Sequence, residues 1–320
     1  MSTGINKKKK DIQLENITKY VKKKFSKAFL IRKSGRFLSL SLIYIIIFGL
    51  AFMIIYPYFV KLITSFMSLE DLSDSTVKFI PKTFSLYFWN RAVKAMNIPS
   101  AFGNSLLISF VTAIIQVMIC SFVGYGFARF KVPGVNLIFF LVIFTMLVPF
   151  TTELLPYYLK FRNFNLLFIK TSLIDTVGPN VILSLSGLGL KNGLYIYILR
   201  QFYRGMPKEL EEAAYIDGNG YFRTYFLIMM PNAFSSMLTV FLFSFCWQWT
   251  DITYSSIFFS QKQTVVNAVM NIITSVGTDR IVFSTVQNIG TLIVMAPILL
   301  IFLVGQKYFI QGIERSGITF

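Results

Sequence analysis

Six stretches of the chain are long and apolar enough to cross a hydrocarbon core, which takes about 20 helical residues. They run over about 38–60, 102–127, 135–155, 177–199, 233–259 and 286–308. Lys191 and Asn192 interrupt the fourth. The period-two alternation of barrel strands is missing, and inside lipid every backbone polar group needs an internal partner, so these stretches read as helices. The pattern predicts an all-α fold, a polytopic membrane helix bundle with six transmembrane helices. Residues 38–308 make up the bundle, flanked by a tail at 1–37 and another at 309–320.

Composition agrees with that pattern and removes several chemistries. Of 320 residues, 55% are hydrophobic and 14% charged, against roughly a quarter charged in soluble chains. With no histidine, a histidine-based triad, metal site or proton relay is excluded. Cys120 and Cys246 both lie in apolar stretches and lack disulfide or metal-ligand spacing. No metal site and no catalytic constellation is expected.

The 31 basic residues are unevenly placed, with a run from Lys7 to Arg36 ahead of the first apolar stretch. That run is too long for a signal peptide, and no small-residue cleavage site follows the apolar stretch. Ile17, Val21, Phe25 and Phe29 recur at helical spacing among the lysines, so the tail reads as an amphipathic anchor on anionic lipid rather than a nucleic-acid arm. With the N-terminus inside, Lys and Arg favour the inner segments by about two to one, which predicts both termini in the cytoplasm.

Residues 200–231, between the fourth and fifth stretches, form the most polar segment after the tail. Pro207 suits a first helical position, and Glu209, Glu211 and Glu212 complement the positive end of the helix dipole. Ala213 and Ala214 add little bulk, and Gly218 can take the left-handed conformation that ends a helix. A second short helix places Phe222, Tyr225, Phe226 and Met229 on one apolar face before Pro231. The segment reads as a helical knob that seats in another protein's groove.

Glu212-Ala213-Ala214, then Gly218, Ile228 and Pro231, resembles the EAA signature of bacterial ATP-binding-cassette importer permeases. The run from Pro207 to Gly218 resembles their carbohydrate-uptake branch, the maltose-type second permease. Asn104-Ser105-Leu106, Gly124 to Phe130 with Pro133-Gly134, Trp249-Thr250-Asp251, and Tyr308-Phe309 with Gly312 are similar to further elements of that branch. Met230 replaces the usual leucine, and Asn219, Gly220, Asn232 and Ser235 also depart from the pattern.

The resemblance implies the type I importer transmembrane fold with a cytoplasmic coupling helix. It implies alternating access in a bacterial plasma membrane, in a heterodimer with a non-identical permease. Two ATPase subunits would use ATP and Mg, and an extracytoplasmic binding protein would deliver a sugar or oligosaccharide. Glu212, Ala213, Ala214, Asp217 and Gly218 would meet the ATPase. The chain itself has no phosphate-binding G-x-x-x-x-G-K-[ST] loop and is expected to bind no cofactor.

The solute pathway is read from polar and aromatic residues within the apolar stretches, which favour cavities and partner helices. Lys191, Asn192, Trp247, Gln248, Trp249 and Asp251 are the candidates. A non-sugar solute is the alternative cargo. A secondary transporter would need ion-coupling carboxylates or histidines inside the bundle, and Glu153 is the residue that reading would test.

Overall fold

The computed structural model describes residues 27–149, 151–166, 169–277 and 279–317 together with Lys19. Side chains of residues 27–37, 307–317, Leu166, Ile169 and Thr274 lie outside the description. So do the amphipathic pattern of the tail and the surroundings of Tyr308, Phe309 and Gly312. The chain divides into two compact units, Met1–Val60 and Lys61–Phe320.

Helix α1 (Lys27–Thr64) carries the first span, Leu38–Thr64. Its side chains from Leu38 to Phe59 are largely exposed and almost all apolar, as a lipid-facing helix requires.

The second unit opens with a small cap of short helices, α2 (Leu69–Ser73) and α3 (Tyr87–Ala95). Ser68 caps α2 by accepting from the Asp71 amide. The buried Asp71 carboxylate accepts from the Thr83 amide at 3.0 Å, and Trp89 donates to Ser65 Oγ. The segment from Ser65 to Trp89 thus folds on itself.

Helix α4 (Ile98–Arg129) is the central span. Small and polar residues on one side, among them Ser105, Ser109, Thr112, Ala113, Gln116, Cys120 and Ser121, are buried and let neighbouring helices approach. Helix α5 (Val135–Phe144) and α6 (Thr151–Arg162) form a bent pair rather than the single span 135–155 read from the sequence. Pro149 accounts for the bend, because the residue before a proline is pushed out of the helical region and Val148 is extended. A two-stranded hairpin follows, β1 (Phe164–Leu166) antiparallel to β2 (Ile169–Thr171).

The fourth expected span is not one helix. It is α7 (Gly178–Leu185) and α8 (Asn192–Gly205), separated by six non-helical residues. Gly187, with φ +76°, ends α7: its amide bonds Ser184 O while the Leu188 amide reaches Leu183 O. This left-handed cap, not the charge at Lys191, stops the helix. Lys191 is itself left-handed at φ 64° and starts α8.

Then come α9 (Glu209–Ile216), α10 (Tyr221–Thr224), a π-helical turn (Tyr225–Met229), α11 (Met230–Asn232) and α12 (Phe234–Thr250). The π turn precedes Pro231, which cannot donate the next helical bond, and Met230 N reaches back to Tyr225 O. The chain bends by 76° between residues 221–232 and α12. The fifth span ends at Thr250 rather than 259, because the extended Asp251 breaks it before α13 (Thr253–Phe258). Short helices α14 (Val265–Met270) and α15 (Ile273–Val276) lead into α16 (Arg280–Gly317), whose span begins before the expected 286.

Among the described residues, three helices are long and apolar enough to cross a membrane, five if each bent pair is one span. One core joins α4 and α8 to the π turn and α12, through Tyr125, Tyr195, Tyr203, Tyr225 and Met237. A second, at the other end of α4, packs α3 against α14 and α16 through Phe88, Val265 and Val286.

Candidate functional site

Two features concentrate chemistry: the short helix α9, and the break between α7 and α8.

Helix α9 has two turns and two unlike faces. Glu211 and Ala214, three residues apart, share the inward face: Ala214 is fully buried and Glu211 is 8% exposed. Arg129, the last residue of α4, meets Glu211 with Nε 3.5 Å from Oε2, both side chains about nine-tenths buried. The same guanidinium donates from Nη2 to Met206 O at 2.7 Å, just before α9 begins. A buried cation therefore clamps both the approach to α9 and the helix itself to the end of a membrane span.

Glu212, Ala213, Ile216, Asp217 and Gly218 remain exposed, Ile216 at 86%. Gly218 ends α9 at φ +79°, its amide bonding Tyr215 O while the Asn219 amide bonds Ala214 O. Open space surrounds the position where a Gly218 Cβ would stand. Of the five residues expected to face an ATPase, four lie on one exposed surface. Ala214 does not: it packs inward, because in a two-turn helix it shares the face of Glu211. The expected apolar face at 222–229 also divides, with Tyr225 and Met229 buried and Phe222 and Phe226 exposed. The Tyr225 hydroxyl donates to Ser121 Oγ at 2.9 Å, and Ser121 also pairs with Tyr203 Oη, so the π turn is hydrogen-bonded into α4 and α8.

The helix break borders a cavity of about 180 Å³ lined by residues 187–193 with Glu153, Tyr157 and Tyr254. Non-helical backbone in a membrane protein is stable where protein buries it or where it lines such a cavity. Gln116 on α4 holds the break in place. Its Nε2 donates to Leu190 O at 2.9 Å and to Asn192 Oδ1 at 2.6 Å, and its Oε1 accepts from Ser244 on α12.

The six expected pathway residues separate into two groups. Lys191 and Trp247 are exposed and touch, with Nζ 4.9 Å from the ring centre, and Lys191 lines the cavity. Gln248 accepts from Asn180 Nδ2 beside Tyr254, in a small pocket that adjoins the break. The other three have structural partners. Asn192 is buried in the Gln116 network, and Asp251 accepts from the Ser255 amide at the start of α13. Trp249 is buried, stacks on Phe245 and donates to Val294 O at 2.9 Å.

The sequence pattern assigns no site role to Arg129, Glu211, Gln116 or Asn180, although Glu211 stands out as a helix-dipole partner and Arg129 within the Gly124–Phe130 run. A signal existed for Gln116, an amide inside an uncharged apolar stretch, and for Glu211, spaced three residues from Ala214.

Residues 116–315, which hold both features, match the family described as binding-protein-dependent transport system inner membrane component. The chain belongs to that family. It is 26% identical over 277 residues to an arabinooligosaccharides transport system permease protein of Halalkalibacterium halodurans, covering 84% of this chain and 92% of that one. It is 28% identical over 238 residues to an osmoprotective compounds uptake permease protein of Synechocystis, covering 73% and 75%. A solved structure of a bacterial ABC transporter that imports the acidic polysaccharide alginate shares the fold, at a TM-score of 0.68 and 18% identity over 86% of this chain and 98% of that one. This transport-system component is an ABC importer permease and its place is the inner membrane, in keeping with its apolar spans.

Proposed function

We propose that this permease is one of two non-identical membrane subunits of an importer that carries a sugar or oligosaccharide across the bacterial plasma membrane. Two separate ATPase subunits would bind ATP and Mg and drive alternating access. An extracytoplasmic binding protein would deliver the solute, and both termini would face the cytoplasm. The observation that carries the reading is the two-faced helix α9. One face is clamped by Arg129, and the other presents Glu212, Ala213, Asp217 and Gly218 to solvent.

Displacement of α9 by a closing ATPase pair would pull on α4 through the Arg129 clamp. Helix α4 would in turn carry the break at residues 186–191 with it through Gln116. The cavity there offers carbonyls, hydroxyls and Glu153 to a hydroxyl-rich solute, and Trp247 offers an aromatic face. The arabinooligosaccharide relative supports a sugar cargo. The Synechocystis relative supports a second reading, an osmoprotective solute.

The test is co-expression with the candidate partner permease, ATPase and binding protein, followed by reconstitution in vesicles. ATP-dependent uptake of oligosaccharide supports the reading. Uptake driven by an ion gradient without ATP would refute it, and ATP-dependent uptake of compatible solutes alone would favour the second cargo.

A further inference from the structure

The turn between α4 and α5 and the end of α8 enclose an open cleft of about 480 Å³, within the usual range of small-ligand sites. Its wall carries three cations, Lys131, Arg200 and Arg204, and no carboxylate. Among the described residues the ion pairs are Lys82–Asp74 and Arg129–Glu211, and none of the three cations takes part. Arg200 and Arg204 are four apart on one helix, a like-charge pairing that costs stability unless an anion relieves it. Arg200 is held in place: its guanidinium carbon sits 3.9 Å from the centre of the Phe139 ring, and Nε donates to Phe127 O. Phe127, Phe130, Val132, Pro133 and Val135 supply an apolar rim, and the exposed Leu137, Ile138 and Phe140 continue it along α5.

The cleft therefore joins an unpaired trio of cations to an apolar helix face at the level where membrane spans end. That combination fits an amphiphile with an anionic head and a hydrocarbon tail. We propose that this cleft binds the phosphate of an anionic membrane phospholipid, with its acyl chains lying along α5. Arginine's planar fork suits two phosphate oxygens, and Lys131 adds a mobile third contact. Basic pockets between spans near a membrane surface recognise head groups in this way. The site is separate from the break cavity and from the exposed face of α9, so its test does not depend on which solute is carried.

Lys131 and Arg204 are exposed, which makes Lys131→Gln with Arg204→Gln the main variant and leaves the packed Arg200 intact. The assembled transporter is placed in phosphatidylcholine nanodiscs with and without phosphatidylglycerol, and retained lipid is counted by native mass spectrometry after extraction. Wild type is expected to retain phosphatidylglycerol in preference to phosphatidylcholine. Each neutralised cation should lower that retention about fivefold, while Arg204→Lys, which keeps the charge and loses the fork, should fall between wild type and Arg204→Gln. An unchanged thermal midpoint for the double variant separates lost binding from lost folding, and Lys131→Gln alone serves if the double variant unfolds. Equal retention of both lipids, or equal retention by wild type and variant, overturns the proposal. So does displacement of the lipid by millimolar inorganic phosphate, which would make free phosphate the ligand. Crosslinking of an Arg204→Cys variant to an ATPase subunit would assign the cleft to protein docking and overturn it as well.

Discussion

At the scale of single residues, Gly218 separates backbone demand from surface demand. Its φ of +79° disfavours any side chain, yet a Cβ there would meet nothing. Gly218→Ala should therefore cost about 1 kcal/mol of local stability and nothing by collision. Gly218→Leu carries the same backbone cost and adds bulk to the exposed face. If that face seats in an ATPase, leucine should lower ATP-driven uptake and ATPase co-purification well beyond alanine. Equal behaviour of the two variants would remove Gly218 from the docking surface. Asp74 offers a second test at this scale. The Lys82 ammonium 2.6 Å away, then Thr76, holds its carboxyl well below the ordinary carboxylate range. A carboxyl with a depressed folded pKa lends stability above its unfolded pKa, about 3.9, and that stability fades as the pH falls through the folded value. The protection of amides across residues 69–85, measured against the intrinsic exchange rate at each pH, should stay flat from neutral pH down to about 4 and fall only in stronger acid. Asp74→Asn should show lower protection at neutral pH and lose that acid response.

At the scale of elements, α9 explains both what could be read from the sequence and what could not. The acidic first turn, the glycine end and the proline beyond were all visible, because capping and dipole rules act locally. Which face turned inward was not visible, since a helix of eight residues is too short to display a periodicity. Adjacent Glu211 and Glu212 lie about 100° apart around the axis, and only the position of Arg129, 82 residues earlier, decides which of them is buried. The break between α7 and α8 followed the same logic. The charge at Lys191 marks the interruption in the sequence, while its cause is the left-handed Gly187. The Val294 carbonyl that Trp249 bonds lies 45 residues away, and the helix break that lets Asp251 cap α13 left no local signal. The Arg129–Glu211 clamp yields the prediction proper to this scale. Glu211→Gln leaves a buried cation without its counter-charge, which costs about 3 kcal/mol or more. A lower thermal midpoint is expected, together with fewer solutes moved per ATP hydrolysed. Removing both charges, in Arg129→Met with Glu211→Leu, should recover much of the stability without recovering the coupling. Restored coupling in the double variant would show that the clamp acts only as packing.

At the scale of the whole molecule, the question is whether the break beside the cavity moves with the end of the bundle that carries α9. The connection runs through α4, which meets α9 at Arg129 and the break at Gln116, thirteen residues along one continuous helix. A rigid helix that grips both sites transmits a displacement without any side-chain relay. Gln116→Leu keeps the helix but frees Leu190 O, Asn192 and Ser244 from their shared partner, at a cost of about 1–3 kcal/mol for each buried group left unsatisfied. ATPase docking should survive and uptake should fall. Trp247→Ala and Lys191→Met should leave stability nearly intact, since both side chains are exposed, and should raise the half-saturating solute concentration. Trp249→Phe removes the donor to Val294 O in a buried ring stack, so it should lower the thermal midpoint without altering which solutes compete. The two classes of variant can therefore be told apart in one set of uptake and melting curves. If Trp247 and Lys191 variants kept wild-type solute dependence while Trp249→Phe changed it, the pathway would lie on the opposite side of α12, away from the cavity at the break.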